Sequence, residues 1–358
     1  MKETAKALKI DLGGIPTHKI HEDITRRLIL YHPDLRGPLS ENDRHEIIKL
    51  LEEGLGDQLN KDIVSGPLDA DKQDYLLRDS YFCGVRYGIY DIDQLHNTLV
   101  CGPDGALMVE EGGLHALEQF VMAKYYLTTQ VYRHKVRLIT DNMLIRGISL
   151  GILQDRHKVL HELYVYNPES EDFLAKYLTW DDRRLIQEML HSDYDDTYAG
   201  DMFRRLHKRE LFKRIFSMRI SDVSVSMEVS TLLPEKFDSI RVELEAAIAD
   251  RLSSELDQLG HSTTIDPNHV ILHQFRIENV RTQSRNSERT IMVLQKDQSP
   301  VTFEEQSTLF SSINESLSDE WLECYAPLPL PLEERKKREL LVKMENWILD
   351  LIKDHLKP

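Results

Sequence analysis

The chain has 358 residues, 41% hydrophobic and 30% charged, a length and balance suited to a water-soluble protein of two domains. No window approaches eighteen uninterrupted apolar residues, which excludes a membrane-spanning helix, and the start, Met1 to Lys6, leads into no apolar core, so no secretory leader is expected. The formal charge of −16 argues against a protein that coats nucleic acid, because polyanion binding rests on Lys and Arg contacts with phosphate. A small anionic ligand is compatible with it, since screening over about 8 Å lets a local basic pocket act alone. Cys83, Cys101 and Cys324, at wide spacing, make neither a disulfide framework nor a Cys-x-x-Cys metal knuckle, and a reducing cytoplasm fits.

In chain order, Ser40 to Leu55 opens with a Ser-x-x-Asp cap (Ser40, Asp43), carries Ile47, Ile48 and Leu51 at helical spacing, and ends at Gly54 and Gly56. Lys61 to Pro67 reads as a connector. Leu68-Asp69-Ala70-Asp71 reads as the start of a Lys72–Phe82 helix, its carboxylates suited to the positive N-terminal end, and Gly84 to Gly88 breaks that helix. Residues 98–108 suggest a short hairpin around Gly102-Pro103-Asp104-Gly105. Gly112-Gly113 precedes the longest helical stretch, Leu114 to about Leu150, with Leu117, Val121, Leu127, Val131, Leu138 and Leu144 as its buried stripe. Further helices are expected over 170–191 and 199–214.

The pattern then changes. Ile220 to Thr231 alternates as a strand (Val223, Val225, Met227, Val229), Phe237–Leu259 is helical, and Val270–Ile277 and Thr290–Leu294 are strands. Thr302–Leu317 is helical, Pro327, Pro329 and Pro331 form a stiff connector, and Leu332–Leu356 is a charged amphipathic helix. The expected fold is mainly α: a helical domain over 1–217, a smaller α+β lobe over 218–330, and a C-terminal helix over 331–358.

The segment richest in chemistry is Ser65 to Ser80. Asp71, Tyr75 and Asp79 recur at i, i+4 and i+8, so they share one helical face, with Lys72 and Arg78 beside it. Two carboxylates with an aromatic between them suit a metal at one end and a polar, ringed ligand along the rest; a solvated helix of alternating charge has the same spacing. His18 and His21, at i and i+3, could hold a metal on one face, but no third ligand has an obvious spacing. Lys124, Thr128, Tyr132 and Lys135 share a face at i, i+4, i+8 and i+11, a basic and aromatic arrangement suited to phosphate and sugar or base contacts, or a plain wet face of an amphipathic helix. The acidic run His191 to Asp196 could bind a cation, but a solvated loop is the better reading.

The run LDADKQDYLLRDSYFCGVRYG (Leu68 to Gly88) resembles the signature helix of HD-domain phosphohydrolases acting on deoxynucleoside triphosphates (dNTPs), a family that includes bacterial triphosphohydrolases and the vertebrate SAM-and-HD-domain protein. Thr17 to Glu22 resembles the family's His-Glu step, and Lys124 to Lys135 its arginine-to-YxHK helix. The run from Asp181-Asp182 through Arg204, Arg205, Lys208 and Arg209 follows the family's helical order, so the resemblance covers about residues 15–215. It implies that Asp71 is the last ligand of a catalytic divalent metal (Mg, Mn, Fe or Zn). It places Lys72, Lys124 and Lys135 on phosphates, Tyr75 against the sugar, Asp79 on the 3′-hydroxyl, Tyr132 in the nucleotide pocket and His21 beside the phosphates as catalytic proton donor. The family often has Arg or His at positions 124 and 128, which leaves phosphate recognition open.

The implied activity is metal-dependent, dGTPase-type hydrolysis of a dNTP to deoxynucleoside and triphosphate, in a cytoplasmic homo-oligomer. The family's His-Asp dipeptide lies upstream of its His-Glu step, and no His-Asp dipeptide occurs in this sequence. The expectation is therefore a metal site completed by an upstream segment or a separate chain. The alternatives are a nucleotide-binding regulatory or degenerate subunit, and an HD-type phosphodiesterase or nuclease, which the charge of −16 disfavours.

Overall fold

The computed structural model of the chain describes residues 19–51, 57–167, 170, 172–220, 227–277, 290–311, 319–329 and 332–356. Helices α1 (Ile20–Tyr31), α2 (Pro33–Arg36) and α3 (Glu41–Leu51) come first. The Ser40 cap of α3 is reciprocal: Ser40 Oγ accepts the Asp43 N–H at 3.1 Å and Asp43 Oδ2 accepts the Ser40 N–H at 3.0 Å. Gly54 and Gly56, the expected end of this helix, lie outside the described residues. Residues 61–67 are not a plain connector. Asp57 accepts the Asn60 N–H and starts α4 (Gln58–Ser65), which ends where Gly66 turns the chain. Asp69 then caps α5 (Ala70–Cys83), and Gly84, at φ 67°, ends it in the left-handed region that favours glycine.

Asp91 caps α6 (Ile92–Asn97), and the expected hairpin is β1 (Leu99–Cys101) against β2 (Leu107–Glu110). The stretch from Leu114 is two helices rather than one. A π-helical turn over Thr128–Tyr132 separates α7 (Leu114–Leu127) from α8 (Lys135–Leu153). The apolar spacing runs through the turn unbroken, which is why the sequence reads as continuous. After α9 (Lys158–Tyr164), the 170–191 segment is likewise divided, into α10 (Asp172–Tyr177) and α11 (Asp182–Met189), because Asp181 caps a new start. Helix α12 (Tyr198–Lys208) stops at Arg209, φ 58°, earlier than expected, and the chain enters β3 (Lys213–Arg219).

Of the strand expected over 220–231, residues 221–226 lie outside the description, and from Met227 the chain is not a strand but α13 (Met227–Gln258). Then follow β4 (Ile271–Ile277), β5 (Met292–Leu294), β6 (Pro300–Thr302), α14 (Phe303–Gln306), β7 (Asp319–Ala326) and α15 (Glu334–Leu356). Of the helix expected over 302–317 the structure forms one turn, α14; residues 307–311 leave the helix in a turn, and residues 312–318 lie outside the description. The fold is mainly α, with two small sheets among the described residues. No described helix is long and apolar enough to cross a membrane.

Contacts gather the chain into two compact units, and their division differs from boundaries at 217 and 330. One unit takes the described parts of His21–His134 and Glu278–Ser318. Its sheet has the order β1-β2-β5-β6, with β5 adding in parallel to β2 through Val109 and Val293. Its core is Leu76, Leu95, Leu117, Phe120, Leu127 and Phe303. The other unit takes the described parts of Met1–Ile20, Lys135–Ile277 and Asp319–Pro358. There β7 is the middle strand of an antiparallel β3-β7-β4 sheet, covered on both faces. Leu322 and Cys324 join the core with α13 and α15, while Tyr325 points to Met143 and Met202 of α8 and α12.

In the first unit Gly88 sits where a Cβ would lie 2.2 Å from the Leu76 carbonyl oxygen and 2.5 Å from Leu127 Cδ1. The backbone of α5 cannot retreat as a side-chain tip could. Gly88→Ala should therefore lower unfolding free energy by about 1–3 kcal/mol, as overpacking typically does, measured by denaturant titration.

Candidate functional site

The start of α5 is fastened from several sides. Asp69 Oδ1, 4% exposed, accepts the Lys72 N–H at 2.7 Å. The buried Gln73 amide donates to the Leu68 carbonyl at 2.7 Å, its own side-chain oxygen lies 2.7 Å from His96 Nε2, and its carbonyl accepts the Tyr90 hydroxyl at 2.9 Å. These contacts hold the Leu68–Ala70 turn and thereby the direction of the helix that carries Asp71, Tyr75 and Asp79. Gln73, Tyr90 and His96 were not among the sequence candidates. They are distant in sequence, and no local pattern links them.

Two of the three face residues meet the end of the π turn. The Tyr132 hydroxyl donates to Asp79 Oδ2 at 2.6 Å, and the Tyr132 and Tyr75 rings meet edge to face, with centroids 6.0 Å apart at 68°. The other Asp79 oxygen lies 3.5 Å from Arg78 Nε, while Arg78 Nη1 pairs with Asp74 at 2.9 Å. Asp79 and both tyrosines are half-buried. Burial, and next the bond to Asp79, push the Tyr132 phenol well above the ordinary tyrosine range. The π turn sets Tyr132 there: the Arg133 N–H reaches the Thr128 carbonyl at 2.9 Å, and the Thr128 and Thr129 hydroxyls donate back to the Lys124 and Tyr125 carbonyls. π turns are uncommon and recur at functional sites.

The other candidates are placed differently. Asp71 is exposed in the first turn of α5. Lys72 is folded back onto its own helix start, its ammonium on the Asp69 carboxylate and 3.0 Å from the Gly66 carbonyl oxygen. Lys124 is half-buried one turn before the π turn. His21 is exposed near the start of α1, and its carbonyl accepts the Thr25 hydroxyl. Among the described residues no hydrogen bond or ion pair ties Asp71 or His21 to the Tyr132–Asp79 pair. Lys135 does not continue the helix of Lys124; it opens α8 in the other unit, exposed. His18 lies outside the described residues.

Among the described residues no three His, Cys, Asp or Glu side chains are grouped to hold a metal ion. One exposed carboxylate, Asp71, does not make a catalytic metal centre, which draws on about three protein ligands. A cleft of about 980 Å³ runs along another face of α5 beside Leu77, Tyr81 and Phe82. Asp71, Tyr75, Asp79 and Tyr132 are not in its lining, so it is not the cavity of this cluster.

The raised phenol has a consequence for stability. The folded state holds the Tyr132 proton more tightly than the unfolded chain does. Its contribution is therefore whole below the unfolded value of about 10 and is lost as pH rises through the higher folded value. Tyr132→Phe should destabilise the protein near neutrality by about 0.5–1.5 kcal/mol, the usual worth of one hydrogen bond. The gap between the two proteins should close as denaturation midpoints are followed into alkali; a constant gap would contradict this reading of the pair.

The profile of the "HD associated region" family matches residues 91–330, well over half of the chain. An uncharacterized protein of Bacillus subtilis (strain 168), YwfO, is 26% identical over 302 residues, covering 78% of this chain and 68% of its own length. MJ1154 of Methanocaldococcus jannaschii, also uncharacterized, is 23% identical over 331 residues, covering 88% of this chain and 63% of its own. The fold is similar to the crystal structure of a phosphohydrolase from Bacteroides thetaiotaomicron, with TM-score 0.62, 19% identity, and coverage of 90% of this chain and 75% of that one. It is also similar to a hypothetical protein from Aquifex aeolicus, with TM-score 0.56, 21% identity, and coverage of 96% and 82%. The matched region begins just after α5 and takes in both the π turn that carries Tyr132 and the β3-β7-β4 sheet, and on that match the chain belongs to the HD-associated region family.

Proposed function

We propose that this chain carries the sugar- and phosphate-binding part of an HD-type phosphohydrolase that cleaves dNTPs to deoxynucleoside and inorganic triphosphate. The observation that carries the reading is the 2.6 Å bond from Tyr132 to Asp79 with the Tyr75 ring beside it. It sets a carboxylate acceptor, a phenol and an aromatic edge together on the scale of a pentose. The family match and the likeness to the Bacteroides phosphohydrolase support the same direction.

In this reading Asp79 takes the 3′-hydroxyl, Tyr75 packs against the sugar and Tyr132 orients Asp79. Lys72 and Lys124 answer the charge of the triphosphate. Lys72 has to exchange Asp69 for a phosphate oxygen to do so. Water attacks the α-phosphorus, the bond to the 5′-oxygen breaks, and that oxygen takes a proton, the role given to His21. Asp71 is the carboxylate offered to a divalent metal whose remaining ligands come from beyond the described residues.

The test is product analysis. The chain, together with a segment bearing the His-Asp motif, is incubated with dGTP and Mn²⁺, and the products are separated by ion exchange. Deoxyguanosine and triphosphate are expected, with Asp71→Ala reducing both to background. Formation of dGMP and pyrophosphate, or undiminished turnover by the variant, would overturn the reading. A second reading, a nucleotide-binding regulatory subunit, is favoured by the engagement of Lys72 with Asp69. It calls for thermal stabilisation by dGTP with no product under the same conditions.

A further inference from the structure

The cleft of about 980 Å³ beside α5 takes no part in the Tyr132–Asp79 pair, and its whole wall belongs to the unit that contains α5. Helix α4 contributes Ile63, α5 contributes Leu77, Tyr81 and Phe82, α6 contributes His96, and β1 lines it from Leu99 to Cys101. Tyr81 and Phe82 are 81% and 79% exposed and meet edge to face, with centroids 5.4 Å apart at 86°. Two large rings standing in water beside an apolar hollow leave apolar surface that a ligand can cover. The volume lies within the range of small-molecule sites, which are mainly apolar and carry a few placed polar groups.

Those few groups narrow the ligand. The charged side chains of the wall are Asp74 and Arg78, which pair with each other at 2.9 Å, so the formal charge sums to zero and an ion of neither sign is called for. His96 supplies the polar contact. The buried Gln73 amide nitrogen donates to the Leu68 carbonyl, which leaves the amide oxygen as the atom 2.7 Å from His96 Nε2. Nε2 therefore carries the ring proton, and Nδ1 is an unprotonated acceptor that no hydrogen bond among the described residues reaches. The fold, through Gln73, sets that tautomer. A neutral apolar wall with one nitrogen acceptor is complementary to a neutral apolar molecule with one hydrogen-bond donor.

We propose that this cleft binds a neutral, mainly apolar ring compound bearing a single hydroxyl or ring N–H, the rings against Leu77, Tyr81 and Phe82 and the donor on His96 Nδ1. The test is fluorescence titration of the full chain near neutral pH with 2-naphthol, with 2-methoxynaphthalene, which lacks the donor, and with 2-naphthoate, which is an anion. 2-Naphthol is expected to bind about three- to tenfold more tightly than the methyl ether, the worth of one hydrogen bond, and at least about tenfold more tightly than the naphthoate, whose charge the wall leaves unanswered. His96→Ala should abolish the preference for 2-naphthol over the ether while the ether still binds. Leu77→Ala should weaken both about tenfold, and Tyr132→Phe should change neither. Equal affinity for 2-naphthol and its ether, naphthoate binding as tightly as 2-naphthol, a preference that survives His96→Ala, or a loss in Tyr132→Phe would each overturn the proposal. So would failure of 2-naphthol to bind together with self-association abolished by Phe82→Asp, which would assign the cleft to a second copy of the chain. The comparison of the three compounds is made on the unaltered chain, so it stands even if His96→Ala or Leu77→Ala fails to fold.

Discussion

On the proposed function, replacing Asp79 with alanine should weaken binding of a dNTP about ten- to a hundredfold and erase any preference for a 3′-hydroxyl over a 2′,3′-dideoxy analogue. A hydrogen bond to a charged group is worth about 1.5–3 kcal/mol when its partner is left without it, and each 1.4 kcal/mol is about tenfold. Asp79 is suited to such a bond. Tyr132 holds one carboxylate oxygen at 2.6 Å, and the more distant Arg78 leaves the other with acceptor capacity. Asp79→Asn keeps the shape and one acceptor, so it should lose less affinity than alanine does. Competition titrations with paired 3′-hydroxyl and dideoxy nucleotides measure both quantities. If alanine weakens both analogues equally, Asp79 contributes general charge and does not read the 3′-hydroxyl.

Much of this site was legible because it is local. Asp69 as a cap, Gly84 as a left-handed stop and the i, i+4, i+8 face of Asp71, Tyr75 and Asp79 all follow from one helix and its ends. The partner of that face was legible in kind but not in form. Val131 continues the apolar spacing of Leu127, so nothing in the periodicity marks the π turn that aims Tyr132 and parts Lys124 from Lys135. The fold shows the same division. The Gly102–Gly105 hairpin announces itself, whereas β5 joins β2 across nearly two hundred residues and leaves no local trace. A short polar helix such as Gln58–Ser65 is set by its Asp57 cap and its packing rather than by a long apolar stripe. Strand β7 is buried on both faces, so it lacks the alternation that marks a half-exposed strand, and it carries a glutamate where a run of apolar residues is the expected sign.

That glutamate is the basis of the largest stability effect we expect: Glu323→Ala should cost about 3–5 kcal/mol. Glu323 is 3% exposed in the middle strand of its sheet, opposite Ser217 on β3 and His273 on β4. Its carboxylate accepts from Arg214 Nη1 at 2.6 Å, Ser217 Oγ at 3.1 Å and the Tyr325 hydroxyl at 2.5 Å. Alanine removes all three acceptor contacts together. Arg214 is partly exposed and can turn to water, but Tyr325 is fully buried and its hydroxyl then has no acceptor. Most of the cost therefore lies in that stranded hydroxyl and in the volume left empty, rather than in the lost ion pair. Two comparisons separate these contributions. Glu323→Gln retains a side-chain oxygen and most of the volume, so it should cost less than alanine. In a double-mutant cycle, Tyr325→Phe added to Glu323→Ala should recover part of the loss, because the unsatisfied hydroxyl is gone. Denaturant unfolding of the four proteins reads the coupling directly, and additive losses would show that Glu323 supports β7 by something other than its bond to Tyr325.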